Sequence, residues 1–211
     1  MILSRRHAIV GAGALIGTAA TAAARRLVPT SSQDLGPFYP LMRPADHDAD
    51  LTRIKGRKGV AAGQPMQLIG RVVDARGNPV CGAMVDLWQC NAVGRCAHPG
   101  DRANPAALDP NFQVFARLVS DRIGNFRFRS IKPVAYDTPI GRRTAHIHFD
   151  ISGGAQRLVT QLYFPGESGN DADPLLKLAG NRDSLVAEAI DRLSADPAAM
   201  AFSWTIVLGN A

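Results

Sequence analysis

Beyond about residue 65, apolar and polar residues alternate with a period of two in short runs. Phe126-Arg127-Phe128-Arg129 is the strictest case, apolar on one side and basic on the other. A period of two places alternate side chains on opposite faces of a strand. Strands are predicted over Met66 to Asp74, Val80 to Gln89, Val114 to Val119, Phe126 to Arg129, Ala145 to Ile151, Leu158 to Phe164 and Phe202 to Leu208. Turn clusters punctuate them at Arg76-Gly77-Asn78-Pro79, at Asp121 to Asn125 and at Gly153-Gly154. One segment has a different period. Leu185, Val186, Ala189, Ile190 and Leu193 form a single helical stripe, which predicts a helix over Asp183 to Leu193. Many short strands and one late helix predict an all-β fold, an antiparallel β-sandwich with a C-terminal helix. Two long segments, Asn91 to Phe112 and Lys132 to Thr144, exceed what a minimal sandwich needs. Long irregular loops in a compact domain are usually functional, and both are expected near the strand that starts at Ala145.

Composition changes the picture mainly at the N-terminus. The 211 residues are 46% hydrophobic, enough for one domain with a core. The formal charge is +6, but Arg5 and Arg6 belong to a segment of another kind. Ser4-Arg5-Arg6 followed by a weakly apolar, glycine-containing stretch and Ala22-Ala23-Ala24 resembles a twin-arginine export signal. Ala8 stands where such signals usually carry an aromatic. The expected division is therefore an export signal at 1–24, a leader and pocket loop at 25–65, and the β-sandwich domain at 66–211. Export to the periplasm, with only transient membrane contact, is the expectation; a retained N-terminal membrane anchor is the alternative. Removing residues 1–24 leaves 22 basic against 18 acidic residues, a net of +4. With no long basic run, that gives no argument for nucleic acid. Cys81, Cys90 and Cys96 lack zinc-ribbon spacing, and their odd number leaves a thiol over. A Cys90–Cys96 disulfide is left open by the sequence.

The candidate chemistry begins with His146 and His148. On a strand these two imidazoles point the same way, which is half of a metal site. Tyr136 lies ten residues earlier, in the second long loop. A phenolate with two imidazoles suits ferric iron, because its hard anionic oxygen favours Fe(III) over Fe(II). Asp150 shares the histidine face and offers a carboxylate alternative for Fe(II). His47, between Asp46 and Asp48, reads either as a cation ligand or as part of a solvated loop. No Gly-x-Ser-x-Gly elbow supports a hydrolase.

The motifs together are more specific than any one of them. Leu35-Gly-Pro-Phe-Tyr-Pro40, Gly70-Arg-Val-Val-Asp74, Val85-Asp-Leu-Trp-Gln89, Gly94-Arg95, Leu108-Asp-Pro-Asn-Phe112, Ile131-Lys-Pro133, Ala145-His-Ile-His-Phe149 and Thr160-Gln-Leu-Tyr-Phe164 occur in this order. In these segments the chain resembles the intradiol ring-cleavage dioxygenases of the protocatechuate 3,4-dioxygenase type. The resemblance implies a mononuclear non-haem Fe(III) site, a small catecholic aromatic and O2 as substrates, and a muconate-type diacid as product. It implies His146, His148 and Tyr136 as iron ligands. Tyr136 then also takes a substrate proton, Arg143 stabilises negative charge on the substrate ring, and Gln161 lines the pocket. The same resemblance places Cys96 where the family carries its second tyrosine ligand. That leaves open a Cys96 thiolate ligand, a water in its place, or a weakened site. It also leaves open a non-catalytic sandwich that binds an aromatic or pairs with an active subunit. The oligomeric state, a homo-oligomer included, is not fixed by the sequence.

Overall fold

The computed structural model describes residues 26–191 and 196–209. The export-signal segment lies outside the described residues. Ten strands dominate: β1 (Pro65–Asp74), β2 (Met84–Trp88), β3 (Phe115–Val119), β4 (Asn125–Ile131), β5 (Tyr136–Thr138), β6 (Gly141–Arg143), β7 (His146–Gly153), β8 (Gln156–Tyr163), β9 (Glu188–Ile190) and β10 (Met200–Leu208). Two four-stranded sheets, in the orders β4-β1-β10-β9 and β3-β2-β7-β8, face each other, and β5 and β6 form a separate hairpin. All pairings are antiparallel except β1 with β10, which run parallel in register from Met66 with Met200 to Asp74 with Leu208.

The core fills the space between the sheets. Leu68, Val72, Phe128, Phe202 and Ile206 from one sheet meet Val85, Leu87, Ile147, Phe149, Ile151 and Leu162 from the other. Phe149 packs on Trp204 with ring centroids 5.0 Å apart. The odd residues of β7 therefore face the core, and strand geometry sends His146 and His148 to the opposite face. Residues before β1 strap the sandwich: Thr30 N–H donates to Val207 O, Gln33 N–H to Val159 O, and Leu51 is buried in the core.

The fold class is as expected from alternation; the helix is not where the stripe put it. Over the described part of Asp183–Leu193, Arg182–Leu185 is a 3-10 turn and Glu188–Ile190 is β9. Leu185 enters a second apolar cluster with Tyr163 and Leu176, while Ala187 N–H donates to Tyr163 O and Ala189 lies exposed. Pairing with β8 and β10 uses backbone groups that a helix would have consumed internally, so tertiary context overrides the 3.6 period. The one α-helix among the described residues is α1 (Pro174–Lys177), capped by Asp173, whose carboxylate accepts from Leu175 N–H and Leu176 N–H.

Candidate metal centre

The outer face of β7 is closed off by three pieces of chain. The Gly36–Pro40 loop lies over His148, the β5–β6 hairpin carries Tyr136 and Arg143, and the 91–112 loop approaches from the side. His146 and His148 are 3% and 6% exposed, with ring centroids 5.0 Å apart. His146 Nδ1–H donates to Thr144 O at 2.6 Å, so Nε2 carries the lone pair. The Tyr136 hydroxyl lies 3.1 Å from that Nε2. His148 stacks on Trp88 at 5.1 Å and 15°. Gly36, at φ +77°, lies against the His148 ring; a methyl there would sit 2.7 Å from Cε1, so only glycine fits.

Burial sets the protonation states. It lowers His146 to about 4, helped by the Arg143 charge and opposed by the bond to Thr144 O. It holds His148 well below the usual imidazole value, with His146 and Arg143 adding to the effect. The Tyr136 phenol is pushed up to about 12 by burial, against the pull of Arg143. Both imidazoles are thus neutral donors and Tyr136 keeps its proton until a cation displaces it. His148 Nδ1 is buried without a hydrogen-bond partner. Two neutral imidazoles and a phenol brought together, with the His148 Nδ1 lone pair unused, fit a single first-row metal cation.

Arg143 is clamped rather than free. Its Nε donates to Asp173 Oδ2 at 2.9 Å and its Nη2 to Gln161 Oε1 at 2.6 Å and Tyr163 Oη at 2.9 Å. Gln161 is in turn oriented through Nε2, which donates to Asp34 O. The same Asp173 Oδ2 accepts from Thr144 N–H. Asp173 is the residue sequence reasoning missed; the Asp-Pro pair at 173–174, a helix-start signal, marked it.

The other candidates separate from this group. Cys96 is disulfide-bonded to Cys90, so its sulfur is not a thiolate donor in this structure, and Cys81 is the exposed free thiol. A small space of ≈ 20 Å³ bordered by Cys96, Tyr136 and His148 has room for about one water. Asp150 is tied to Arg157 at 2.8 and 2.9 Å and is not a third ligand. His47 turns to Pro44 O and Ala45 O, and no group of three or more His, Cys, Asp or Glu side chains suited to a metal occurs among the described residues. Of the two other tyrosines in the chain, Tyr39 packs edge-on against Trp88 and Tyr163 is wholly buried.

The sandwich thus buries two imidazoles and a phenol beside a fixed guanidinium, a set of donors able to hold a metal ion. The family model described as Dioxygenase matches residues 35–210. The protocatechuate 3,4-dioxygenase beta chain of Burkholderia cepacia is 37% identical over 186 residues, covering 84% of this chain and 74% of its own. The catechol 1,2-dioxygenase of Candida albicans is 30% identical, covering 64% and 46%. The solved catechol 1,2-dioxygenase of Pseudomonas arvilla C-1 superposes with a TM-score of 0.64 at 27% identity, covering 86% and 62%. The chain belongs to the intradiol ring-cleavage dioxygenase family, a family of oxidoreductases. It spans about half to three quarters of the length of these relatives.

Proposed function

We propose that the protein cleaves a catechol-type ring between its two hydroxyl-bearing carbons, using O2 and a mononuclear non-haem Fe(III) held by Tyr136, His146 and His148. The observation that carries this reading is the convergence of Tyr136 on His146 beside the clamped Arg143. Bound iron would supply Lewis acidity toward both catechol oxygens and a one-electron route to O2. The chain's residues do the rest. The two neutral imidazoles hold their lone pairs without competition from protons. Tyr136 would help hold the ion and, as a phenolate, would be the group able to accept a proton from a substrate hydroxyl. Arg143, fixed by Asp173 and Gln161, presents an oriented charge where negative charge builds on the ring. Both atoms of O2 end in the two carboxyl groups of the muconate-type product.

The test is aerobic iron loading of the mature chain, then metal analysis, visible absorption and oxygen uptake with catechol and protocatechuate. The reading expects stoichiometric iron, a tyrosinate-to-iron absorption band, and uptake matched to diacid formation. His148→Ala is expected to retain less than about a tenth of the parent's iron. Iron binding without any of these spectral and kinetic signs would reject it. One observation favours a second reading, a non-catalytic sandwich that binds an aromatic. The Cys90–Cys96 disulfide leaves the site one phenolate short of the set implied by the family resemblance. Aromatic binding with neither iron nor turnover would establish that reading.

We also propose export by the twin-arginine route, with residues 1–24 as the signal. A disulfide at Cys90–Cys96 suits an oxidising compartment. Fractionation of cells with and without a working twin-arginine translocase tests this; equal cytoplasmic retention in both would refute it.

A further inference from the structure

The cleft over the outer face of β7 is larger than one aromatic ring requires. It measures ≈ 830 Å³, toward the upper end of the about 300–1,000 Å³ typical of clefts that bury drug-sized ligands. Tyr136, Arg143, His148 and Gln161 make up only part of its wall. Much of the remainder is apolar, from Pro37, Phe38, Val93, Pro105, Pro139 and Ile140. Val93 and Ile140 stand in water, 60% and 58% exposed, one on the 91–112 loop and one in the β5–β6 turn. Single exposed apolar side chains are ordinary on a protein surface; these two differ in lining a cleft, where a ligand's apolar part can cover them.

The charges on the wall argue in the same direction. Its two cations are already paired: Arg143 with Asp173 at 2.9 Å and Arg142 with Asp137 at 3.1 Å. Asp101 is paired with Arg95 at 2.7 Å, and Asp34 adds one more negative charge. A carboxylate substituent on a catechol would find no unpaired cation in the wall and would add to the negative charge of Asp34. An apolar substituent would instead cover Val93 and Ile140. Discrimination of this kind combines attraction for one ligand with repulsion of the other.

Resting on the dioxygenase reading of the site, we propose that its substrates are uncharged catechols carrying a bulky apolar aryl or alkyl substituent. Val93 and Ile140 are then the specificity-determining residues that receive that substituent. Two measurements test it on the mature chain. Oxygen uptake of the iron-loaded protein gives kcat/KM for a phenyl-substituted catechol and for protocatechuate. Tryptophan fluorescence of the metal-free protein, in which Trp88 stacks on His148, gives the affinity for each. The phenyl compound is expected to be preferred at least about tenfold, and Ile140→Lys or Val93→Lys to shrink that ratio by about tenfold. Asp137→Asn, which releases Arg142, is expected to shift preference toward protocatechuate. Equal or better use of protocatechuate by the parent overturns the assignment while leaving the reaction standing. A ratio unmoved by both lysine variants overturns it too. If no catechol is cleaved but the phenyl compound still binds tighter, the proposed reaction falls and the cleft assignment survives. Tighter binding of protocatechuate sinks the assignment.

Discussion

His146 has conflicting demands that burial resolves. A charged imidazole there would be dehydrated and would face Arg143, so the folded protein holds it down at about 4. The unfolded chain protonates it near the ordinary value of about 6.5. Between these values the unfolded state binds a proton that the native state refuses. Native stability is therefore fully present above about pH 6.5 and is lost as pH falls toward 4. For the metal-free protein this one group predicts a loss of about 3 kcal/mol across that window, and His148, lowered in the same direction, adds to it. Urea unfolding at stepped pH checks this; a flat profile from pH 7 to 4 would contradict it. Asp173 is a buried carboxylate shared by Arg143, Thr144 and the first turn of α1. Asp173→Ala leaves the Arg143 charge buried without its carboxylate, so a loss of about 3–5 kcal/mol in denaturant unfolding is expected. Arg143 would also lose its fixed aim, and kcat is expected to fall more than substrate affinity.

At the level of elements, the segment after α1 offers a clean discrimination. Leu185 is buried against Tyr163 and Leu176, whereas Ala189 points to water. Leu185→Ala is expected to cost about 2–5 kcal/mol, and Ala189→Glu within about 0.5 kcal/mol of nothing. A helical stripe would penalise both, so comparable losses would show that the turn-and-strand arrangement is wrong. This is also where the sequence was least legible. The strands β1, β4, β7, β8 and β10 follow directly from alternation, because each has one face on a core that repeats every second residue. The histidine pair was legible for the same reason. The β5–β6 hairpin was not, since three-residue strands carry too little pattern, although it delivers both Tyr136 and Arg143. Asp173 was equally hidden: its value depends on Arg143, thirty positions away in the chain, and no local pattern encodes that partner. The fate of Cys96 lay in its neighbour Cys90, which the sequence could name but not decide.

Over the whole molecule, the parallel join of β1 to β10 brings residues 66–74 beside residues 200–208. Removing the chain from residue 200 onward strips β1 of its central partner and uncovers Leu68 and Val72 from Phe202 and Ile206. Such a truncation is expected to lose the cooperative unfolding transition altogether, as read by circular dichroism; a retained sharp transition would mean that the two sheets do not depend on this join. A consequence for biosynthesis follows. A sheet whose middle pair is separated by most of the domain's length cannot form while that last strand is still inside the ribosome, and such long-range pairings form slowly. The polypeptide therefore emerges with β7, the strand of His146 and His148, made before the sandwich around it is complete. Completion of the sandwich waits for β10, as a late event that closes the core behind the face carrying His146 and His148.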